Sequence, residues 1–201
     1  MARTKLSKAA FVKRGYGQVE PNHLSAQRTG QIYAQLPAKA DIEVLENGQF
    51  VKYDYQNKEV NFTGKGEWLM VFNEVKLYRD YEQYDDFAMI KSNYAARVYS
   101  PVGQDTSDVE VIGKVEFPSL TVPAKMPANT SMVPRVFKIN VGDIYTTNTV
   151  NEAALVVGDE LKVGTDGYLA KTGDAAGPVF VVVKVYTLAD GQPAVKLQRI
   201  A

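Results

Sequence analysis

The chain has 201 residues, 45% of them hydrophobic and 23% charged, with 15 Gly, 9 Pro, one His and no Cys, a composition that excludes a wholly disordered chain. A chain of this length forms one large domain or two small ones and buries roughly 70% of its extended surface, so its core needs no metal or disulfide staple. The lack of Cys removes disulfide frameworks, thiol nucleophiles and thiolate zinc sites together.

Formal net charge is zero, but the two signs are unevenly spread. Residues 1–40 carry Arg3, Lys5, Lys8, Lys13, Arg14, Arg28 and Lys39 against Glu20 alone, a net +6, which leaves −6 on residues 41–201. A basic segment on an acidic body suits an arm that reaches for an acidic partner or a neighbouring copy of the chain. No basic run is dense enough, and no aromatic RNA-binding motif follows, to indicate dedicated nucleic-acid binding. Met1 to Arg14 lacks the apolar stretch of a secretory signal and no run of about 18 apolar residues occurs, so neither export nor a membrane span is expected.

In chain order, residues 1–40 have weak periodicity and breakers at Gly15, Gly17, Pro21, Gly30 and Pro37, and read as an extended arm with one short helical turn after Ser7. From Asp41 the pattern is that of strands. Ile42 and Val44 alternate with polar neighbours, Asn47-Gly48 supplies a tight turn, and Val51, Tyr53 and Tyr55 alternate again, which together predict a hairpin. Val60 and Phe62 continue the alternation, and Trp68-Leu69-Met70-Val71-Phe72 is a run of the kind buried on both faces, with Trp68 in the core. The acidic stretch that holds Tyr78, Tyr81 and Tyr84 among Asp80, Glu82, Asp85 and Asp86 fits neither period and reads as an exposed connection, a candidate contact surface. Phe87, Ile90, Tyr94 and Val98 recur at helical spacing, with strand as the alternative. Val109, Val111, Val115 and Phe117 read as strand.

Residues 118–134 contain Pro118, Pro123, Pro127 and Pro134, a density that breaks helices and central strands and marks a crossover or linker. Beyond it the β pattern is clearest: a strand from Arg135 to Tyr145, a turn at Gly158-Asp159-Glu160, a strand from Leu161 to Val163, a turn at Asp166-Gly167, and a strand from Tyr168 to Lys171. Val179 to Tyr186, almost wholly apolar and β-branched, reads as a central strand that must be covered, and Asp190-Gly191 turns it into Ala194 to Ile200. The fold expected is therefore mainly β: an extended basic arm (1–40), a β-rich module (41–117), the proline-rich linker (118–134) and a small β-barrel or sandwich (135–201), with few short helices.

Enzymatic chemistry finds little support. His23 sits in the irregular arm beside Pro21 and Asn22 without a nucleophile-elbow motif, so a Ser-His-acid triad is not expected. No zinc motif exists, the Gly164–Thr172 stretch lacks phosphate-loop spacing, and the pairs Asp80/Glu82 and Asp105/Asp108 match no calcium loop. Catalytic residues, metal sites and cofactors are all expected to be absent. The glycosylation-type triplets Asn61-Phe62-Thr63 and Asn129-Thr130-Ser131 read as chance. The supply of 12 Tyr and 8 Phe suits interfaces or carbohydrate-stacking surfaces as well as cores.

Residues 134–164, from Pro-Arg-Val-Phe-Lys-Ile-Asn-Val-Gly-Asp-Ile-Tyr-Thr-Thr-Asn to Gly-Asp-Glu-Leu-Lys-Val-Gly, resemble the small β modules of tailed-bacteriophage capsid decoration, or cement, proteins. The ending Val-Val-Val-Lys-Val-Tyr-Thr-Leu-Ala-Asp-Gly-Gln-Pro-Ala-Val-Lys-Leu-Gln-Arg-Ile is similar to theirs in style, so the resemblance covers about the last third of the chain. It implies a non-enzymatic virion protein, made in the host cytoplasm, that binds the major capsid protein on the outer face of the shell and strengthens it, often as a homo-oligomer such as a trimer. The residues expected to make that contact, chosen from charge and aromatic content, are Arg3, Lys5, Lys8, Lys13, Arg14, Arg28, Tyr78, Tyr81 and Tyr84. The alternative is a carbohydrate-binding or host-adhesion β module.

Overall fold

A computed structural model of the chain describes residues 17–73, 88–91, 100–101, 120–121, 132–189 and 191–201. The protein is mainly β. In chain order the elements are β1 (Val19–His23), the one-turn helix α1 (Ala26–Thr29), β2 (Ile32–Tyr33), β3 (Val44–Glu46), β4 (Phe50–Asp54), β5 (Glu59–Asn61), β6 (Trp68–Val71), β7 (Ala88–Ile90), β8 (Ser100–Pro101) and β9 (Leu120–Thr121). There follow β10 (Val136–Phe137), β11 (Ile144–Thr147), β12 (Glu160–Val163), β13 (Leu169–Ala170), β14 (Val179–Thr187) and β15 (Pro193–Arg199). They build a six-stranded antiparallel sheet in the order β1-β11-β15-β14-β12-β13 and a five-stranded one in the order β2-β10-β6-β4-β5, with two-stranded ribbons β3-β7 and β8-β9.

Period-two alternation decides how the sheets pack. In the five-stranded sheet Phe50, Met70 and Phe137 lie directly opposite one another across three strands, and these side chains join Tyr145, Leu161, Phe180, Val182 and Leu197 of the six-stranded sheet in one buried cluster. Phe180 anchors it, with Phe50 at 5.4 Å and Tyr145 edge-on at 5.9 Å between ring centroids. Val51, Leu69, Val71 and Val136 point the other way and pack with Leu45 of β3 and Met89 of β7 in a second cluster. The five-stranded sheet is thus covered on both faces, which is why Trp68-Leu69-Met70-Val71 is apolar without alternation.

Polar ties fix the sheets to one another. Trp68 Nε1 donates to Asp174 Oδ2 at 2.9 Å, while Lys52 reaches the same oxygen at 3.3 Å with its ammonium 4.4 Å above the indole. At another corner the buried carboxylate of Asp143 accepts from Ser25 N, Ser25 Oγ and Asn140 N at 2.9–3.0 Å, which docks the start of α1 against the turn before β11. Buried Glu46 accepts from Gly17 N at 2.7 Å and from Tyr168 Oη at 3.2 Å, joining the first described residue to both halves of the chain.

Several sequence expectations change. Asn47-Gly48 does turn the chain, with Gly48 at φ +86° and Gln49 N bonded to Glu46 O, but the flanking strands do not pair: β3 pairs with β7, and β4 with β5 and β6. The turn is instead held from outside, by Gly48 N on Val71 O and by Phe50 N on Gly167 O, so the chain steps from one layer to the next rather than closing a hairpin. Arg135 to Tyr145 is not one strand, because the Asn140–Asp143 turn, with Gly142 at φ +93°, divides it into β10 in one sheet and β11 in the other. At 88–90 the strand alternative holds. Of the segment read as an extended arm, residues from 19 on enter both sheets: β1 is the edge partner of β11 and β2 the edge partner of β10. The sheets consequently cross the module boundaries drawn at the proline-rich stretch, since β10 completes the sheet of β4–β6 and β1 that of β11–β15. The strands expected around 109–117 lie outside the described residues.

Candidate functional site

The exposed half of β14 is the most unusual surface of the six-stranded sheet. Up to Val182 the strand is paired on both sides, with β12 on one edge, and the last bonds of that ladder run between Val182 and Gly158 and Asp159. At Val183 the register slips against β15, a bulge that adds local twist and re-aims the following side chains. Beyond it, residues 183–187 pair with β15 alone among the described residues. The buried alternation ends there. Val183 is 37% exposed and Val185 52%, while Val156 and Val157, just before the Gly158 contact, are 63% and 64% exposed.

Lys184 and Lys196 lie directly opposite each other across this hairpin, an arrangement that repulsion disfavours. Both ammonium groups flank Tyr186, at 5.8 and 5.6 Å from its ring centre, so the aromatic face offsets part of that repulsion. Neither lysine has a carboxylate partner among the described residues. By the same register Val185 lies opposite buried Val195 and so faces the other side of the hairpin from the two lysines, which leaves apolar and cationic groups exposed on its two faces.

A second feature is a cleft of about 660 Å³ beside the β4–β5 hairpin, lined by Tyr53, Asp54, Tyr55, Asn57, Asn61 and Lys65 among others. Its wall is internally bonded. Asp54 accepts from Asn57 N and Nδ2 at 3.0 and 2.8 Å, contacts that hold its carboxyl below the usual range, and Asn61 Oδ1 accepts from Thr63 N and Gly64 N at 3.1 and 2.6 Å. The buried Asn61 is therefore a structural pin of the loop. Burial pushes the Tyr53 phenol up, and its ring meets Tyr55 edge-on at 5.7 Å.

Of the contact residues expected from sequence, Arg28 is in the last turn of α1 and exposed. Arg3, Lys5, Lys8, Lys13, Arg14, Tyr78, Tyr81 and Tyr84 lie outside the described residues. His23 ends β1, exposed and opposite Ile144. The described residues hold no group of three or more His, Asp or Glu placed to bind a metal ion. Sequence reasoning passed over Lys184 and Lys196; the available signal was the single lysine interrupting the Val179–Tyr186 run, opposite a lysine of the next strand. It also read Tyr55 only as an alternating strand residue, whereas β4 ends at Asp54 and Tyr55 stands clear at 67% exposure. Comparisons with known protein families, with curated proteins and with solved structures find no match.

Proposed function

We propose that the chain is a non-enzymatic structural virion protein that binds the major capsid protein on the outer surface of a tailed-bacteriophage capsid and stabilises the shell. The observation that supports this reading best is the end of β14, where residues 183–187 pair with β15 alone among the described residues and Val183, Val185, Lys184 and Lys196 present exposed apolar and cationic groups on the hairpin. Exposed apolar side chains on a strand that has one partner among the described residues favour protein contact, and lysines without a carboxylate partner among those residues select an acidic surface and discourage two copies of the same edge from joining. Many copies on a lattice would each add a modest contact, and avidity would supply the stability. The basic residues of 1–16 would add to the attraction, and the chain would act as a homo-oligomer on the virion.

Co-sedimentation of the full chain with purified capsids tests this. Val183→Ser with Val185→Ser is expected to weaken binding by ~10-fold or more, the scale of a central contact, and Lys184→Glu with Lys196→Glu to weaken it chiefly at low salt. Capsid binding unchanged in both double variants would remove the hairpin from the interface.

A further inference from the structure

The cleft beside β4 and β5 carries an inference independent of capsid binding. Tyr55 is 67% exposed, yet its ring packs against that of buried Tyr53 at 85° between ring planes, a contact that holds its orientation. Around it the polar groups fall into two sets. Asp54, Asn57, Asn61 and Glu59 bond one another and the loop backbone, which makes a rigid wall. The Tyr55 hydroxyl, the Gln56 side-chain amide and the Lys65 ammonium, all exposed, have no partner among the described residues. A ring held in place, with uncommitted donors and acceptors at its margin, is arranged for a ligand.

We propose that this cleft binds a neutral saccharide, with the Tyr55 ring as stacking platform and Tyr55 Oη, Gln56 and Lys65 bonding the hydroxyls. A pyranose offers what the lining lacks: an apolar C–H face for the ring, and hydroxyls that both donate and accept. The volume of about 660 Å³ falls in the range of small-molecule sites and has room for more than one sugar unit. Charge sets the class. The lining holds Lys39 and Lys65 against Asp54 and Glu59, so it has no net charge with which to select a phosphate, a sulfated sugar or a cation. A nucleotide would stack on the same ring, but its phosphate would find the carboxylates as close as the ammonium groups.

Saturation-transfer NMR of the full chain tests this against neutral di- and tetrasaccharides of glucose, galactose, mannose and N-acetylglucosamine, with a sulfated disaccharide and a nucleoside monophosphate as charged comparisons. At least one neutral sugar is expected to receive saturation. Tyr55→Ala should weaken its binding by ~10-fold, as the loss of one good contact does, and Tyr55→Phe should retain the stacking part. Because Tyr55 is on the surface, the alanine variant keeps the fold, and an unchanged melting curve verifies this; Gln56→Ala provides a second, milder loss. Saturation of no neutral sugar, of the charged ligands alone, or of a neutral sugar equally in Tyr55→Ala would overturn the proposal.

Discussion

Tyr145 is fully buried and its hydroxyl has no hydrogen-bond partner among the described residues, a desolvation that also pushes its phenol strongly upward. Tyr145→Phe keeps the ring against Phe180 and removes the orphan oxygen, so it should raise stability by about 1 kcal/mol and the melting temperature by about 3 °C. A lower melting temperature would reveal a partner for the hydroxyl. Asp174 is the opposite case, its carboxyl held below the ordinary 3.8 by Trp68 Nε1, the Ala176 amide and Lys52. A carboxyl depressed by folding adds stability that is fully present above its unfolded pKa and is lost as pH falls through the folded value. Urea midpoints followed from neutral pH into the acid range below 3.8 should therefore fall, and Asp174→Asn should flatten that limb while lowering the neutral-pH midpoint. An identical acid limb in the variant would assign it to other carboxyls, such as Asp54 and Asp159, which are depressed in the same direction.

Turns and strands were legible in unequal degree. Gly158, Gly167 and Gly191, at φ +93°, +79° and +82°, mark turns, and these together with the apolar, β-branched run at 179–186 placed β12 to β15 around them. Partner choice was not legible at Asn47-Gly48, because the turn's bonds go to Val71 and Gly167, far along the chain, and no local pattern encodes that. Nor did the Val179–Tyr186 run reveal its bulge: β-branched residues suit a buried strand and an exposed contact edge equally. The glycine turns give a test that separates space from backbone strain. A Cβ on Gly167 would fall on the Phe50 carbonyl oxygen, whereas one on Gly158 meets nothing within 4 Å. Both alanine variants bear the cost of a positive φ, about 1 kcal/mol. Gly167→Ala should lose at least ~2 kcal/mol more in denaturant titration, by displacing the β4 entry from the Asp166-Gly167 turn. Equal losses would show that the contact between Phe50 and this turn yields freely.

At the scale of the molecule the mainly β class was readable from composition and alternation, but the way strands are shared between sheets was not. Residues 17–40 lack the density of apolar residues that marks a strand, and they become β1 and β2 only because β11 and β10 offer edges and because Asp143 and Glu46 bind their backbone. The tyrosine-bearing cleft was equally hidden, since it depends on Lys39 meeting the β4–β5 loop. Asp143→Ala should show how firmly the N-terminal segment is tied down: with three donors to one buried carboxylate lost, a stability loss of about 3 kcal/mol is expected, together with faster amide exchange in β1 and α1. Loss of stability without faster exchange there would limit Asp143 to its own turn.

The pairing of β1 with β11 has a consequence for how the protein is made. Gln18 and its partner Asn148 are 130 residues apart, so at ribosomal speed β1 emerges roughly 6 to 26 s before the edge it joins. Synthesis runs on past β11 to β15, the other neighbour that holds β11 in the sheet. During that interval β1 has no strand to pair with, and the net positive charge of residues 1–40 favours keeping it dissolved until β11 and β15 are in place.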